Sequence, residues 1–261
     1  MKIFLTIVLM ISFSLGVITC ARIDNSSGES TWLDEQLIDI KRYDYVTIES
    51  IENFENLVAL RHTKNKFGGY KKTDYNDYYL VKYDASEKRL WSEKLVGNDD
   101  ESGISIICDS FGNIFLASYS RLDKDIRTNS YGYEMSLTKY NSYGIIQWTK
   151  KIGESFTNQG IGLAIDSFDD IYVTVYSKNL FFSELNLPDE ENFLMKFNSY
   201  GIKKWIKILE SISSESFLDI WTDSSNHIHV TGFTDMNFDE NKNFQESDIT
   251  LVSFNTDGIK Q

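Results

Sequence analysis

The sequence holds one proline, two cysteines and three histidines in 261 residues. Each scarcity closes a route. With so little proline, 41% hydrophobic residues and 14% aromatics, the composition favours strands over disorder. A zinc site needs at least three protein ligands, and no third joins His227 and His229 in "HIH". His229 stands where Phe115 and Tyr172 stand in related segments, which points to packing. His62 is the remaining histidine, and no Ser-His-Asp set can be picked out. Positive charge is also short: 26 Lys and Arg face 39 Asp and Glu, a net charge of −13. An acidic surface repels phosphate backbones, so nucleic acid is not an expected partner. There is no P-loop and no GxGxxG. Carboxylate pairs for glycoside hydrolysis stay open, because their spacing in space is invisible here.

No apolar run reaches the roughly 20 residues of a membrane span. The longest opens the chain. Lys2 precedes an uncharged stretch from Ile3 to Leu15, then "GVITC". This reads as a secretory signal over residues 1–19. Cys20 follows at once, as in the lipobox of bacterial lipoproteins, which this segment resembles. Val17 fits that pattern; Thr19, where Gly or Ala is usual, departs from it. Lipidation of Cys20 is the leading expectation, with ordinary cleavage or an uncleaved anchor as alternatives. Residues 20–28 would then be a lipid-anchored tether, and the protein would sit in the cell envelope. A lipidated Cys20 leaves Cys108 without a disulfide partner. Cys108 lies in the apolar run "ISIICD" and reads as a small buried hydrophobe.

What is abundant is repetition. "NSYGIIQW" begins at Asn141 and "NSYGIKKW" at Asn198. Leu80, Leu137, Leu194 and Leu251 keep the same 57-residue spacing, as do Trp91, Trp148 and Trp205, and Glu52, Asp109, Asp166 and Asp223. Each repeat contains two strand–turn–strand units around short turns rich in Asp, Asn, Ser and Gly. The expected strands are a, b, c and d. In the third copy they lie near 161–166, 170–176, 193–198 and 202–208. Strands a and b are apolar on both faces, so both must be covered. Antiparallel four-stranded units stacked around an axis do this, which predicts an all-β β-propeller. The repeated Trp is expected between blades, and the turn Gly at positive φ.

The patterns "D-S-x-G-N-I-[YF]-V" and "L-x-K-[YF]-[DN]-x-x-G-x-x-x-W" resemble the bacterial SBBP-type β-propeller repeat family over roughly residues 46–261. The resemblance implies an extracytoplasmic repeat protein and brings no catalytic residues. Repeats are expected near 46–95, 103–152, 160–209 and 217–261, within a domain covering 29–261. The last lacks its fourth strand, while "NSSGESTW" from Asn25 has the Asn-x-x-Gly-x-x-x-Trp spacing of Asn198 to Trp205. Residues 29–38 could therefore complete the last blade and close a four-bladed ring. Otherwise the propeller is incomplete.

The b–c loops, near 63–77, 120–134, 177–191 and 234–248, are long and unlike one another. Such loops on a repeating scaffold usually carry binding. Tyr131, Tyr133, Phe181 and Phe182 are the expected contacts for a protein or glycan. In the fourth loop Asp235, Asn237, Asp239, Asn241 and Glu246 fall at positions 1, 3, 5, 7 and 12 of a calcium-loop pattern, though Glu240 replaces the usual Gly. The function expected from all this is non-enzymatic binding. A propeller hydrolase or lyase acting on glycans and a structural envelope component are the alternatives.

Overall fold

Local turn chemistry organises the chain. The computed structural model describes residues 22–24, 30–32, 45–52, 56–63, 77–84, 88–95, 102–121, 133–155, 162–177, 191–209, 217–234 and 248–261. The Asp109 carboxylate accepts the N–H groups of Phe111 (3.0 Å) and Asn113 (2.8 Å). Asp166 and Asp223 do the same one and two repeats later. Asn141, Asn198 and Asn255 open the other turns in this way. Such bonds hold the turn with partners inside the turn itself. The fourth turn residue must then take positive φ. Glycine supplies it at Gly144 (81°) and Gly201 (73°), and Asp169 (61°) and Asn226 (64°) adopt it without being glycine.

Seventeen strands form among the described residues, and no helix. β1 (Arg22–Asp24) and β2 (Ser30–Trp32) make a two-stranded sheet. The rest form four antiparallel, blade-like sheets in simple up-and-down order. The first holds β3 (Tyr45–Glu52), β4 (Asn56–Thr63), β5 (Asp77–Asp84) and β6 (Arg89–Lys94). The second holds β7 (Ser102–Cys108), β8 (Ile114–Arg121), β9 (Tyr133–Tyr140) and β10 (Ile146–Ser155). The third holds β11 (Gly162–Ile165), β12 (Ile171–Ser177), β13 (Glu191–Phe197) and β14 (Lys203–Ile208). The fourth holds β15 (Phe217–Thr222), β16 (Ile228–Thr234) and β17 (Asp248–Phe254). A bulge recurs beside the tryptophan in three sheets, where Lys82, Lys139 and Lys196 pair with Trp91, Trp148 and Trp205.

First strands of successive sheets are neighbours: β3 beside β7, β7 beside β11, β11 beside β15. Apolar side chains on both faces of the middle sheets are buried, as the doubly apolar strands require. Phe115, Ala117 and Leu137 meet Leu163, Val173 and Met195 between sheets two and three. Ala164, Tyr172 and Leu194 meet Ile220, Val230 and Val252 between sheets three and four. Val58, Leu60 and Leu80 meet Ile106, Ile114 and Leu116 between sheets one and two, where the half-buried Cys108 also packs.

Of residues 29–38, the candidates to complete the fourth sheet, the described stretch Ser30–Trp32 is not part of that sheet. Ser30–Trp32 pairs with Arg22–Asp24 instead. That hairpin closes a short loop, whereas pairing with β17 closes one of roughly two hundred residues, and closure entropy rises with loop length. At the edge of β17 the chain's own turn has already returned: Lys260 bridges Phe254, and the Gln261 N–H donates to the Ser253 carbonyl at 2.9 Å. The face of sheet four that bears Leu251 stays open. Leu251 is 55% exposed, where Leu80, Leu137 and Leu194 are fully buried.

Candidate functional site

Many buried strand side chains join neighbouring sheets. Lys82 Nζ donates to the Ser142 carbonyl (3.3 Å), Lys139 to Ser199 (3.2 Å) and Lys196 to Thr256 (3.3 Å). Each lysine thus reaches the turn of the next sheet. The indole N–H groups of Trp91 and Trp205 donate to the same carbonyls of Ser142 and Thr256. The turn glycines lie against these rings. A Cβ at Gly201 would stand 3.1 Å from the Trp148 ring, and one at Gly144 3.2 Å from Trp91. The tryptophans are therefore inter-sheet packing groups, as expected.

Two of these lysines also pair with acids. Lys139 pairs with Asp109 at 3.3 Å and lies over the Phe115 ring. Lys196 pairs with Asp166 (3.5 Å) and Asp170 (2.9 Å) and lies over Tyr172. The Tyr172 hydroxyl donates to Asp166 at 2.8 Å. Burial, then this bond to Asp166, holds that hydroxyl protonated far above the ordinary phenol range.

Sheet four changes both partners at once. Ser253 replaces the lysine and His229 replaces the aromatic ring. His229 Nδ1 lies 2.8 Å from Ser253 Oγ, and its Nε2 lies 3.1 Å from Asp223 Oδ2. His227 Nδ1 is 3.2 Å from the same carboxylate oxygen. Trp221 stacks on His229 with ring centroids 5.2 Å apart. Slight desolvation pushes the Asp223 carboxyl up. Hydrogen bonds outweigh it, from the His227 N–H, the His229 ring, the Ser225 N–H and the His227 ring, and hold it down at about 2. The sequence did not reveal this line of hydroxyl, imidazole and carboxylate. The expectation that His229 packs is met by its stacking on Trp221, but its nitrogens are both engaged. Among the described residues, no group of three or more His, Cys, Asp or Glu is placed to hold a metal ion.

A second feature lies on the rim of short turns. Phe111 (78%), Phe168 (72%), Tyr143 (76%) and Tyr200 (77%) are held out in solvent, with Ile145 and Ile202 beside the tyrosines. The short turns thus present aromatic surface as well as reversing the chain. Adjacent turns are tied together. Asp169 accepts from the Ser110 N–H (2.8 Å) and hydroxyl (2.7 Å), and Asn226 accepts from the Ser167 N–H (2.9 Å).

Of the residues expected to bind, Tyr133 starts β9, is half-buried and meets Tyr119 edge-on, centroids 6.4 Å apart. Tyr131, Phe181 and Phe182 lie outside the described residues. So do Cys20 and the calcium-loop candidates Asp235, Asn237, Asp239, Asn241 and Glu246. On β15, the first strand of sheet four, burial pushes the Asp219 carboxyl up, partly offset by the Ile220 N–H.

No protein-family model matches the chain. An uncharacterized WD repeat-containing protein of Acanthamoeba polyphaga mimivirus is 26% identical to it, over 55% of this chain. The chain spans only 13% of that relative's length. A crystal structure of a protein of unknown function from Bacteroides caccae aligns over 82% of both chains, at 8% identity and a TM-score of 0.34. A likeness at that score carries no argument about this chain.

Proposed function

We propose that the chain is a β-propeller-like binding module of the SBBP-like kind, non-enzymatic, carried in a cell envelope by a lipid on Cys20. The observation that supports it most is the use of strand side chains in three successive inter-sheet clusters. Scaffold residues so committed leave turns and loops to meet a protein or glycan. The 26% likeness to a WD repeat-containing protein supports a repeat architecture of this type. Fold alone does not assign a partner. The test is capture with the full chain in detergent against native envelope extract and a glycan panel. Specific, saturable retention without turnover supports the reading; substrate turnover overturns its non-enzymatic part. Membrane partitioning and a lipid mass that persist in Cys20→Ala would remove the anchor.

The Ser253–His229–Asp223 line favours a second reading, a hydrolase. In it, Ser253 Oγ would attack an ester carbonyl while His229 takes the hydroxyl proton; the ester C–O bond would break and the alcohol leave with that proton, and water would then release the acyl group as the acid and restore Ser253. Labelling by a fluorophosphonate that disappears in Ser253→Ala supports it. An unlabelled wild-type chain disposes of it.

A further inference from the structure

We infer that the rim of short turns is a binding surface for a neutral polysaccharide, read by Phe111, Tyr143, Phe168 and Tyr200. The inference rests on the binding-module reading and gives it a site and a ligand class. Three observations carry it.

The first is exposure without a packing reason. These rings are 72–78% exposed, while Phe115, Tyr119 and Tyr172 of the same sheets are essentially fully buried. A turn needs Asp or Asn at its first position and positive φ at its fourth. Nothing in the backbone asks for an aromatic at the third. Solvating a large ring there gains nothing for the fold.

The second is rigidity. Each ring sits on a turn whose N–H groups are held by the opening Asp or Asn. The Phe111 and Phe168 turns are also bound to one another through Ser110 and Asp169. Pre-ordered anchors lose little freedom on binding. Their recurrence from sheet two to sheet three matches a ligand that itself repeats, which is a polymer.

The third is charge. The protein carries −13 overall. Yet on these two sheets each acid of the rim is already engaged, although four acids meet only two lysines. Asp109 is paired with Lys139, Asp166 and Asp170 with Lys196, and Asp169 is bound by Ser110. An anionic polymer is repelled by the whole molecule, and a cationic one would have to displace bonds that these acids already make. A neutral polysaccharide fits: the C–H face of a sugar ring stacks on an electron-rich aromatic face, and the exposed tyrosine hydroxyls meet its edge.

The experiment is retention of the full chain on insoluble cellulose, chitin and mannan, with alginate as the anionic control. Retention by at least one neutral matrix, release by its soluble oligosaccharide, and weaker retention by alginate are expected. Tyr143→Ala or Tyr200→Ala should each weaken binding about tenfold. The variant with all four rings changed to Ala should lose retention while its melting temperature holds. Tyr143→Phe with Tyr200→Phe, which keeps both rings, should bind within about threefold of wild type, since stacking carries the affinity. Passage through every neutral matrix overturns the inference. So does equal retention of the four-ring variant, or its unfolding, which would make the rings part of the core. Capture of a protein equally by wild type and variant removes the rim site and leaves the binding-module reading standing.

Discussion

Sheets three and four follow one strand plan, yet Leu194 is fully buried and Leu251 is 55% exposed. The two leucines occupy the same place in β13 and β17, opposite Thr174 and Thr231 in the ladder. What differs is the neighbour. Sheet four covers Leu194, and among the described residues nothing comparable covers Leu251. In a repeat protein a side chain becomes core only when the adjacent unit supplies the other wall. The polar groups change in step. The covered face uses Lys196 over Tyr172 against buried acids; the open face uses His229 and Ser253 around an Asp223 that solvent reaches.

The sharpest way to break this comparison is to remove the lysine from the covered face. Lys196→Ala leaves Asp166 buried without its cation, and breaking one side of a buried pair costs about 3–5 kcal/mol. Ser253→Ala, at the equivalent place, removes one hydrogen bond on an open face and should cost about 1 kcal/mol or less. Urea unfolding of both variants measures the difference. Equal losses would mean that the covering sheet does not decide the energetics.

Leucine truncation tests the apolar half of the same claim. Leu194→Ala should cost about 2–5 kcal/mol, the range for a buried leucine that leaves a cavity. Leu251→Ala should stay within about 0.5 kcal/mol, as exposed substitutions do. A large loss at Leu251 would show that another part of the chain packs there in solution.

Glycine gives the next effect down. Gly201 has φ +73°, and a Cβ would stand 3.1 Å from the Trp148 ring. Gly201→Ala therefore adds left-handed strain of about 1–2 kcal/mol and displaces the indole. Combined with Trp148→Leu, which opens space, the loss should be less than additive. Additive losses in denaturant melts would separate the turn from the ring.

The repeat, its turns and its core were legible because their causes are local. Asp109 and Asn141 cap their own turns, and Trp148 fills the gap beside the next turn glycine, so pattern and period suffice. The Asp223–His229–Ser253 line was less visible because it depends on ladder register. His229 lies opposite Ser253 in one pairing and opposite Trp221 in the other. The signal existed in the repeat: lysine became serine and an aromatic became histidine in the same copy. Phe111, Tyr143, Phe168 and Tyr200 are plain in the sequence, but the repeat pattern alone does not tell an exposed ring from a packed one. Their exposure is a property of the folded rim.

The smallest effect is the most specific to the open face. Asp223 titrates in the folded chain at about 2, below the ordinary carboxyl value of 3.8, because the N–H groups and rings around it favour the charged form over slight desolvation. A depressed carboxyl contributes stability that is fully present above its unfolded pKa and is lost as pH falls through the folded one. The contribution should therefore be intact above about pH 4 and fade from there to about pH 2. Asp223→Asn should lower the urea midpoint near pH 5, and its midpoint should converge on wild type as pH approaches 2. His229→Phe restores the aromatic of the covered sheets and removes one of the four bonds. It should shrink the gap between Asp and Asn at residue 223 without closing it, because the His227 and Ser225 N–H groups still point at the carboxylate. If Asp223→Asn parallels wild type across this whole range, the carboxylate is not held by these groups, and the open face is polar without being organised.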